Sequence, residues 1–159
     1  MNDSNDMSSL RVLLVEDRPI LRRLIGMSLN ALGVQRIVDV KNGAEGLPVV
    51  KAARGGLDLI ICDLEMPEMK GLEFLAKLRN GEICTRSKDT PVIIISGHSE
   101  PGYLQKSIQL GVQGFMIKPI TTADLAKKIR SSVSAHASYA DFHALGKQRM
   151  CAAAVSSAL

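Results

Sequence analysis

Four short apolar runs in this chain each end in side chains able to do chemistry. Leu57 to Cys62 leads into Asp63, and Arg11 to Val15 leads into Glu16 and Asp17. Val92 to Ile95 leads into Ser96, Gly97 and His98, and Gly114 to Ile117 leads into Lys118 and Pro119. An aspartate after one strand is ordinarily a turn former; four such endings in succession are a different observation. If the runs are strands of one parallel sheet, their carboxyl ends share an edge, and ligand chemistry gathers beyond that edge. Glu16, Asp17 and Asp63 would then crowd one crevice, repelling one another and raising each other's pKa. A hard divalent cation relieves that crowding, and oxygen ligands around an open face suit Mg2+. A hydroxyl (Ser96) and an ammonium (Lys118) fall at the same edge.

The elements that must position these groups read as five βα units. Leu10 to Val15 is the first strand, and Pro19 suits a first helical turn, where its missing N–H is harmless. Leu21, Leu24, Ile25, Leu29 and Leu32 then follow helical spacing as far as Gly33. Arg36 to Val40 is a short second strand near an edge. Asn42 is placed to cap the second helix, with Glu45 three residues on. Gly46 and Pro48 lie inside that helix, and Pro48 removes a hydrogen bond and crowds the preceding turn, so a kink or a late start is expected. Five of the six residues from Leu57 to Cys62 are apolar, as in a strand buried on both faces. Gly71 to Leu78 is the third helix, followed by a long polar loop, Asn80 to Thr90. Pro91 to Ile95 is the fourth strand. Tyr103, Leu104, Ile108 and Leu110 mark the fourth helix, Gly114 to Ile117 the fifth strand. Thr121 or Thr122 caps a fifth helix with Leu125, Ile129 and Val133 inward.

Consecutive βα units imply an α/β fold with a parallel sheet and helices on both faces, because each crossover is right-handed. The expected architecture is a flavodoxin-like, doubly wound, five-stranded sheet in the order 2-1-3-4-5, whose switch point brings Glu16 and Asp17 beside Asp63.

Composition narrows the function classes. The chain of 159 residues is 46% hydrophobic and 23% charged, ordinary for one soluble domain. Aromatics make up only 3%, so the core must be aliphatic. No apolar run approaches the ~20 residues of a membrane span. The polar, acidic start is unlike a signal peptide, and three scattered cysteines form no disulfide framework, which fits a cytoplasmic protein. The net charge is +4, but Lys and Arg punctuate helical patterns rather than form one stripe, so they read as solvated helix surface.

The constellation of Glu16, Asp17, Asp63, Ser96 and Lys118, in this order and at this spacing, resembles the receiver domain of two-component response regulators. The resemblance spans roughly Leu10 to Val133. It implies a single-domain response regulator that accepts a phosphoryl group on Asp63 from a sensor histidine kinase or a histidine phosphotransfer protein. It implies Mg2+ held by Asp17 and Asp63, by Glu16 through water, and by the main-chain carbonyl of Glu65. Ser96 and Lys118 would contact the phosphoryl group, and Phe115 would be the aromatic switch residue answering a movement of Ser96. The switch face would be helix 4, strand 5 and helix 5, which would meet a downstream protein target. Glu65 and His98 match two positions that tune phosphoryl lifetime. Such a protein is a phosphoacceptor that assists its own phosphorylation and dephosphorylation rather than an enzyme with an external substrate.

Residues 1–9 are expected to be a disordered lead, 10–135 the receiver domain, and 136–159 an extension. Val133, Ala137, Ala140 and Ala144 continue the stripe of helix 5, which would then run from Ala123 to Leu145, about 35 Å at 1.5 Å per residue. The stretch after Ser131 is too short for a helix-turn-helix output, so no DNA-binding domain is expected. A homodimer through the switch face or the extension is a further expectation. Two alternatives remain: a flavodoxin-like cofactor binder, and a pseudo-receiver that is never phosphorylated. Acidic Glu16 and Asp17 in the place of a phosphate-cradling loop disfavour the first; the full acid set disfavours the second.

Overall fold

The computed structural model describes residues 6–54 and 56–136. Its elements run β1 (Arg11–Val15), α1 (Pro19–Ala31), β2 (Arg36–Val40), α2 (Gly43–Ala52), β3 (Leu59–Asp63), α3 (Gly71–Arg79), β4 (Val92–Ser96), α4 (Pro101–Gln109) and β5 (Gly114–Ile117). A fifth helix, α5, occupies residues 122–136. All five strands are parallel, in the order β2-β1-β3-β4-β5, with β1 between β2 and β3 as the switch point requires.

Side chains alternate across the pleat, so each strand feeds two cores. Val12, Leu14, Leu59, Ile61, Ile93 and Ile95 pack with Ile25 and Leu29 of α1 and Leu125 and Ile129 of α5. Leu13, Val15, Ile60, Cys62 and Ile94 pack on the other face with Val50 of α2 and Phe74, Leu75 and Leu78 of α3. Every residue of β3 and β4 is buried, as the unbroken apolar runs predict. Burying each such aliphatic side chain contributes about 1.5–3 kcal/mol. That rigid centre is what carries Asp63 and Ser96, the last residues of their strands.

Two expectations change, and one open choice is decided. Helix α2 starts without delay at Gly43, because Asn42 Oδ1 accepts the Glu45 N–H at 2.8 Å and the Glu45 carboxylate in turn accepts the Lys41 N–H at 3.0 Å. It runs on through Pro48; Pro48 and Ala44 are both exposed, so the carbonyl deprived of its donor faces water. The lead expected to be disordered through Ser9 is placed from Asp6 onward. Met7 is buried in the α1/α5 core, the Leu10 N–H reaches the Met7 carbonyl at 3.2 Å, and the Ser8 N–H reaches Asp6 Oδ1 at 2.8 Å. One apolar side chain in a polar stretch found a hole at the base of the sheet. At α5 the cap is Thr121 rather than Thr122: its hydroxyl accepts the Asp124 N–H at 3.0 Å. The expected run of α5 to Leu145 and the extension beyond residue 136 lie outside the described residues.

The long α3–β4 loop is pinned by Arg79. Its guanidinium donates to the carbonyls of Lys88 and Gly111 and to Gln113 Oε1, at 2.7–3.1 Å. Burial pushes its pKa down to about 10.

Candidate functional site

The carboxyl ends of β1, β3 and β5 bring four charged groups into contact. Lys118 Nζ lies 2.9 Å from Asp63 Oδ1 and 3.2 Å from Glu16 Oε2. The first contact is a hydrogen bond. The second is close enough for an ion pair but poorly aligned, and Glu16 Oε2 is buried with no hydrogen-bond partner. The other Glu16 oxygen accepts the Arg18 N–H at 3.1 Å. Asp17 Oδ1 is likewise buried with no hydrogen-bond partner. Each of Glu16, Asp17 and Asp63 offers an oxygen, and the three atoms lie within 4.8 Å of one another.

One ammonium among three carboxylates leaves a surplus of negative charge around the buried side chains of Glu16 and Asp63. Burial raises the pKa of Glu16 above its usual range, with the charge of Asp63 adding to it and the Arg18 N–H and Lys118 opposing. Burial also raises Asp63; its hydrogen bond to Lys118 lowers it, and the charge of Asp17 raises it again. Orphaned buried oxygens, an all-oxygen donor set and uncompensated charge together fit a hard divalent cation such as Mg2+. The neighbouring Cys62 thiol takes no part, since burial drives its pKa upward and keeps it protonated.

The remaining predicted residues surround this pocket. Ser96 is fully buried at the end of β4, and its hydroxyl is held by the next loop, donating to the His98 carbonyl at 3.0 Å and accepting the His98 N–H at 2.9 Å. The Lys118 N–H donates to the Ser96 carbonyl at 2.8 Å, tying the β5 end to the β4 end, and the Lys118–Pro119 bond is cis. Glu65 and His98 meet: His98 Nε2 is 3.0 Å from Glu65 Oε2, with both side chains about half exposed. Phe115 is half-buried on the α3/α4 side, in register with Ile94 of β4 and in the same cluster as Tyr103.

Other residues position the site without announcing themselves in the sequence. Arg22 of α1 donates through Nη1 to the Glu16 carbonyl at 2.9 Å and through Nε to Asp39 of β2 at 3.0 Å. It therefore fixes the main chain of the acid pair against the edge strand. The loop after Asp63 leans on α2, where Asn42 Nδ2 reaches Glu68 Oε2 at 3.4 Å. Gly71 closes that loop. Its N–H donates to the Leu64 carbonyl, and a Cβ there would collide with the Asp63 carbonyl oxygen. A glycine opening a helix was visible in the sequence; the close approach that requires it was not.

The sequence pattern of the response regulator receiver domain matches residues 12–130. The chain belongs to this family. Chemotaxis protein CheY-3 of Vibrio cholerae serotype O1 is 30% identical over 121 residues, covering 76% of this chain and 89% of that protein. Chemotaxis protein CheY of Pseudomonas aeruginosa is 30% identical over 120 residues, covering 76% of this chain and 93% of that protein. Among solved structures, the receiver domain of the histidine kinase CKI1 from Arabidopsis thaliana, complexed with Mg2+ and BeF3−, superposes with a TM-score of 0.72. It is 30% identical, with 83% of this chain and 95% of that one covered. Vibrio cholerae chemotaxis protein CheY4 gives a TM-score of 0.69 at 28% identity, covering 77% and 98%. This receiver domain thus shares its fold and family with response regulators of phosphorelays, and its acid pocket lies where the fold places it, at the carboxyl edge of β1 and β3. Among the described residues no helix is long and apolar enough to cross a membrane.

Proposed function

We propose that this receiver domain takes a phosphoryl group onto Asp63 from the phosphohistidine of a sensor kinase or phosphotransfer protein, and that residues 10–135 carry this reaction. The observation that carries the reading is the convergence of Lys118, Glu16 and Asp17 on one buried carboxylate. In the step, an Asp63 carboxylate oxygen attacks phosphorus, a new O–P bond forms, and the N–P bond to the donor imidazole breaks. Lys118, already 2.9 Å from Asp63, is placed to take one phosphoryl oxygen. Ser96 is placed to take another once its hydroxyl leaves the His98 backbone. Phe115 would turn inward as Ser96 moves; having no hydroxyl, it must signal by shape.

Asp17, Asp63 and the Glu65 main-chain carbonyl would hold Mg2+, with Glu16 acting through water. Bound there, the ion supplies positive charge for the carboxylates and for the incoming phosphoryl oxygens. The CKI1 receiver domain solved with Mg2+ and BeF3− supports this assignment. The donor must cover the pocket mouth during transfer. Beside Asp17, α1 offers Ile20, Leu24 and Met27, exposed at helical spacing, for that contact. A downstream protein, or a second copy, would meet the α4–β5–α5 face, where Leu104, Ile108 and Ile117 are exposed.

The test is chemical. With Mg2+ and acetyl phosphate the full chain gains one phosphoryl group per molecule, lost on hydroxylamine treatment as an acyl phosphate is; no Mg2+-dependent uptake would overturn the proposal. A second measurement concerns lifetime. The Glu65–His98 contact joins the loops that follow Asp63 and Ser96, and in this reading the pair screens the acyl phosphate from water. Glu65→Ala and His98→Ala should each shorten the acyl phosphate lifetime, by about two- to tenfold. An exposed side-chain contact of this kind is worth at most ~1 kcal/mol, so their unfolding temperatures should stay near wild type. Unchanged decay in both variants would make the pair an ordinary surface contact.

A further inference from the structure

Strand β2 ends the sheet and leaves one row of main-chain groups without a neighbour. The Glu16 N–H donates to the Val40 carbonyl, so Arg36, Val38 and Val40 turn their main-chain groups toward β1. Main-chain groups of successive strand residues point to opposite sides, which aims those of Ile37 and Asp39 outward. Among the described residues no main-chain partner lies on that side. Native sheets ordinarily cover or charge such an edge, because it is a template for another strand.

This edge is flanked by a groove. Val38, Val49, Ala53 and Leu57 line it, with Arg36 and Arg54 at its rim. Val38 is 47% exposed, a large apolar side chain left open on a strand. Both rim arginines are exposed, and among the described residues neither guanidinium has an acidic partner. Arg23, exposed on the α1 side of the same strand, adds a third cation with no acidic partner among the described residues.

These features select the occupant. A second copy set edge to edge would bring two such sets of unpaired arginines together, and like charges oppose it. A single-stranded nucleic acid would find phosphate partners but no aromatic surface on which bases stack, since among the described residues no Phe, Tyr or Trp lines the groove. We propose that the β2 edge receives an extended acidic segment of a partner protein as a sixth strand. Its main chain would pair with Ile37 and Asp39, an aliphatic side chain would cover Val38, and carboxylates on the same face would meet Arg36 and Arg54. The surface is separate from the acid pocket and from the α4–β5–α5 face, so a partner there could stay attached through a cycle of phosphorylation.

The probe is a fluorescein-labelled peptide, Glu-Thr-Val-Thr-Glu, whose carboxylates and valine share one strand face, titrated against the full chain, with a lysine-for-glutamate peptide and a thymidine oligonucleotide in parallel. The acidic peptide should bind best and shift the amide resonances of Ile37 and Asp39. The double variant Arg36→Glu/Arg54→Glu should bind it about tenfold more weakly, two rim attractions having become repulsions. Phosphoryl labelling of that variant should equal wild type, which separates this surface from the acid pocket. Absence of shifts at Ile37 and Asp39 with millimolar peptide, or equal binding of the lysine peptide, overturns the proposal. Tighter binding of the oligonucleotide through the same arginines would overturn it in favour of a nucleic-acid surface.

Discussion

Asp63→Asn will take up no phosphoryl label from acetyl phosphate at any Mg2+ concentration, and none from a cognate kinase. The substitution keeps the shape and one oxygen able to accept from Lys118, but an amide oxygen bears no negative charge with which to attack phosphorus. Loss is therefore expected to be complete rather than graded. The fold provides the control. Asp63 is buried beside Glu16, whose pKa its charge helps to raise, so removing that charge relieves repulsion. The variant should unfold at the same temperature as wild type or higher in metal-free buffer. Label retained at wild-type level would place the acceptor elsewhere; lost label with a collapsed unfolding temperature would point to misfolding instead.

The fold was legible because its signals are redundant. Unbroken runs such as Leu59–Cys62 and Val92–Ile95 read as strands covered on both faces, and five strand-like segments separated by helical patterns, the polar edge run Arg36–Val40 among them, point to one parallel sheet. What escaped are contacts made between elements distant in sequence. Met7 looks like part of a polar tail until the base of the sheet is built. Pro48 looks like a helix breaker until its exposed position becomes known. Among the site residues, the carboxylates, Ser96 and Lys118 announced themselves because they end strands. Arg22 did not, because nothing local distinguishes it from its neighbour Arg23; only the folded chain sets one against the Glu16 carbonyl and leaves the other in solvent. Likewise Lys118 reads from its strand-end position as a partner of Asp63 and its phosphoryl group, while its second contact, with Glu16, emerges only in the folded pocket.

That uneven neutralisation sets the last expectation, which concerns the metal. Asp17 Oδ1 is buried and accepts no hydrogen bond, whereas one Glu16 oxygen is engaged by the Arg18 N–H and the other lies beside Lys118. Asp17 is therefore the oxygen donor held in reserve for a cation, and Glu16 the one already partly satisfied. With Mg2+ at a hundred times its dissociation constant, binding to the folded state alone contributes about 2.7 kcal/mol. For a domain of this size that raises the unfolding temperature by roughly 10 °C. Asp17→Ala should lose most of that rise, and Glu16→Gln should keep a good part of it. In metal-free buffer the order reverses in interest. The folded-state pKa of Glu16 is raised, so the folded chain binds this proton more tightly than the unfolded one. Stability accordingly falls as pH climbs through the window above the usual glutamate range, and is regained as pH drops back into it. Glu16→Gln removes the titrating group, so without Mg2+ it should be more stable than wild type at pH 7 and show a flatter pH dependence on the acid side. Thermal scans of the three proteins, with and without Mg2+ between pH 4.5 and 8, check each of these outcomes. Equal Mg2+-induced rises in Asp17→Ala and wild type would remove Asp17 from the ligand set.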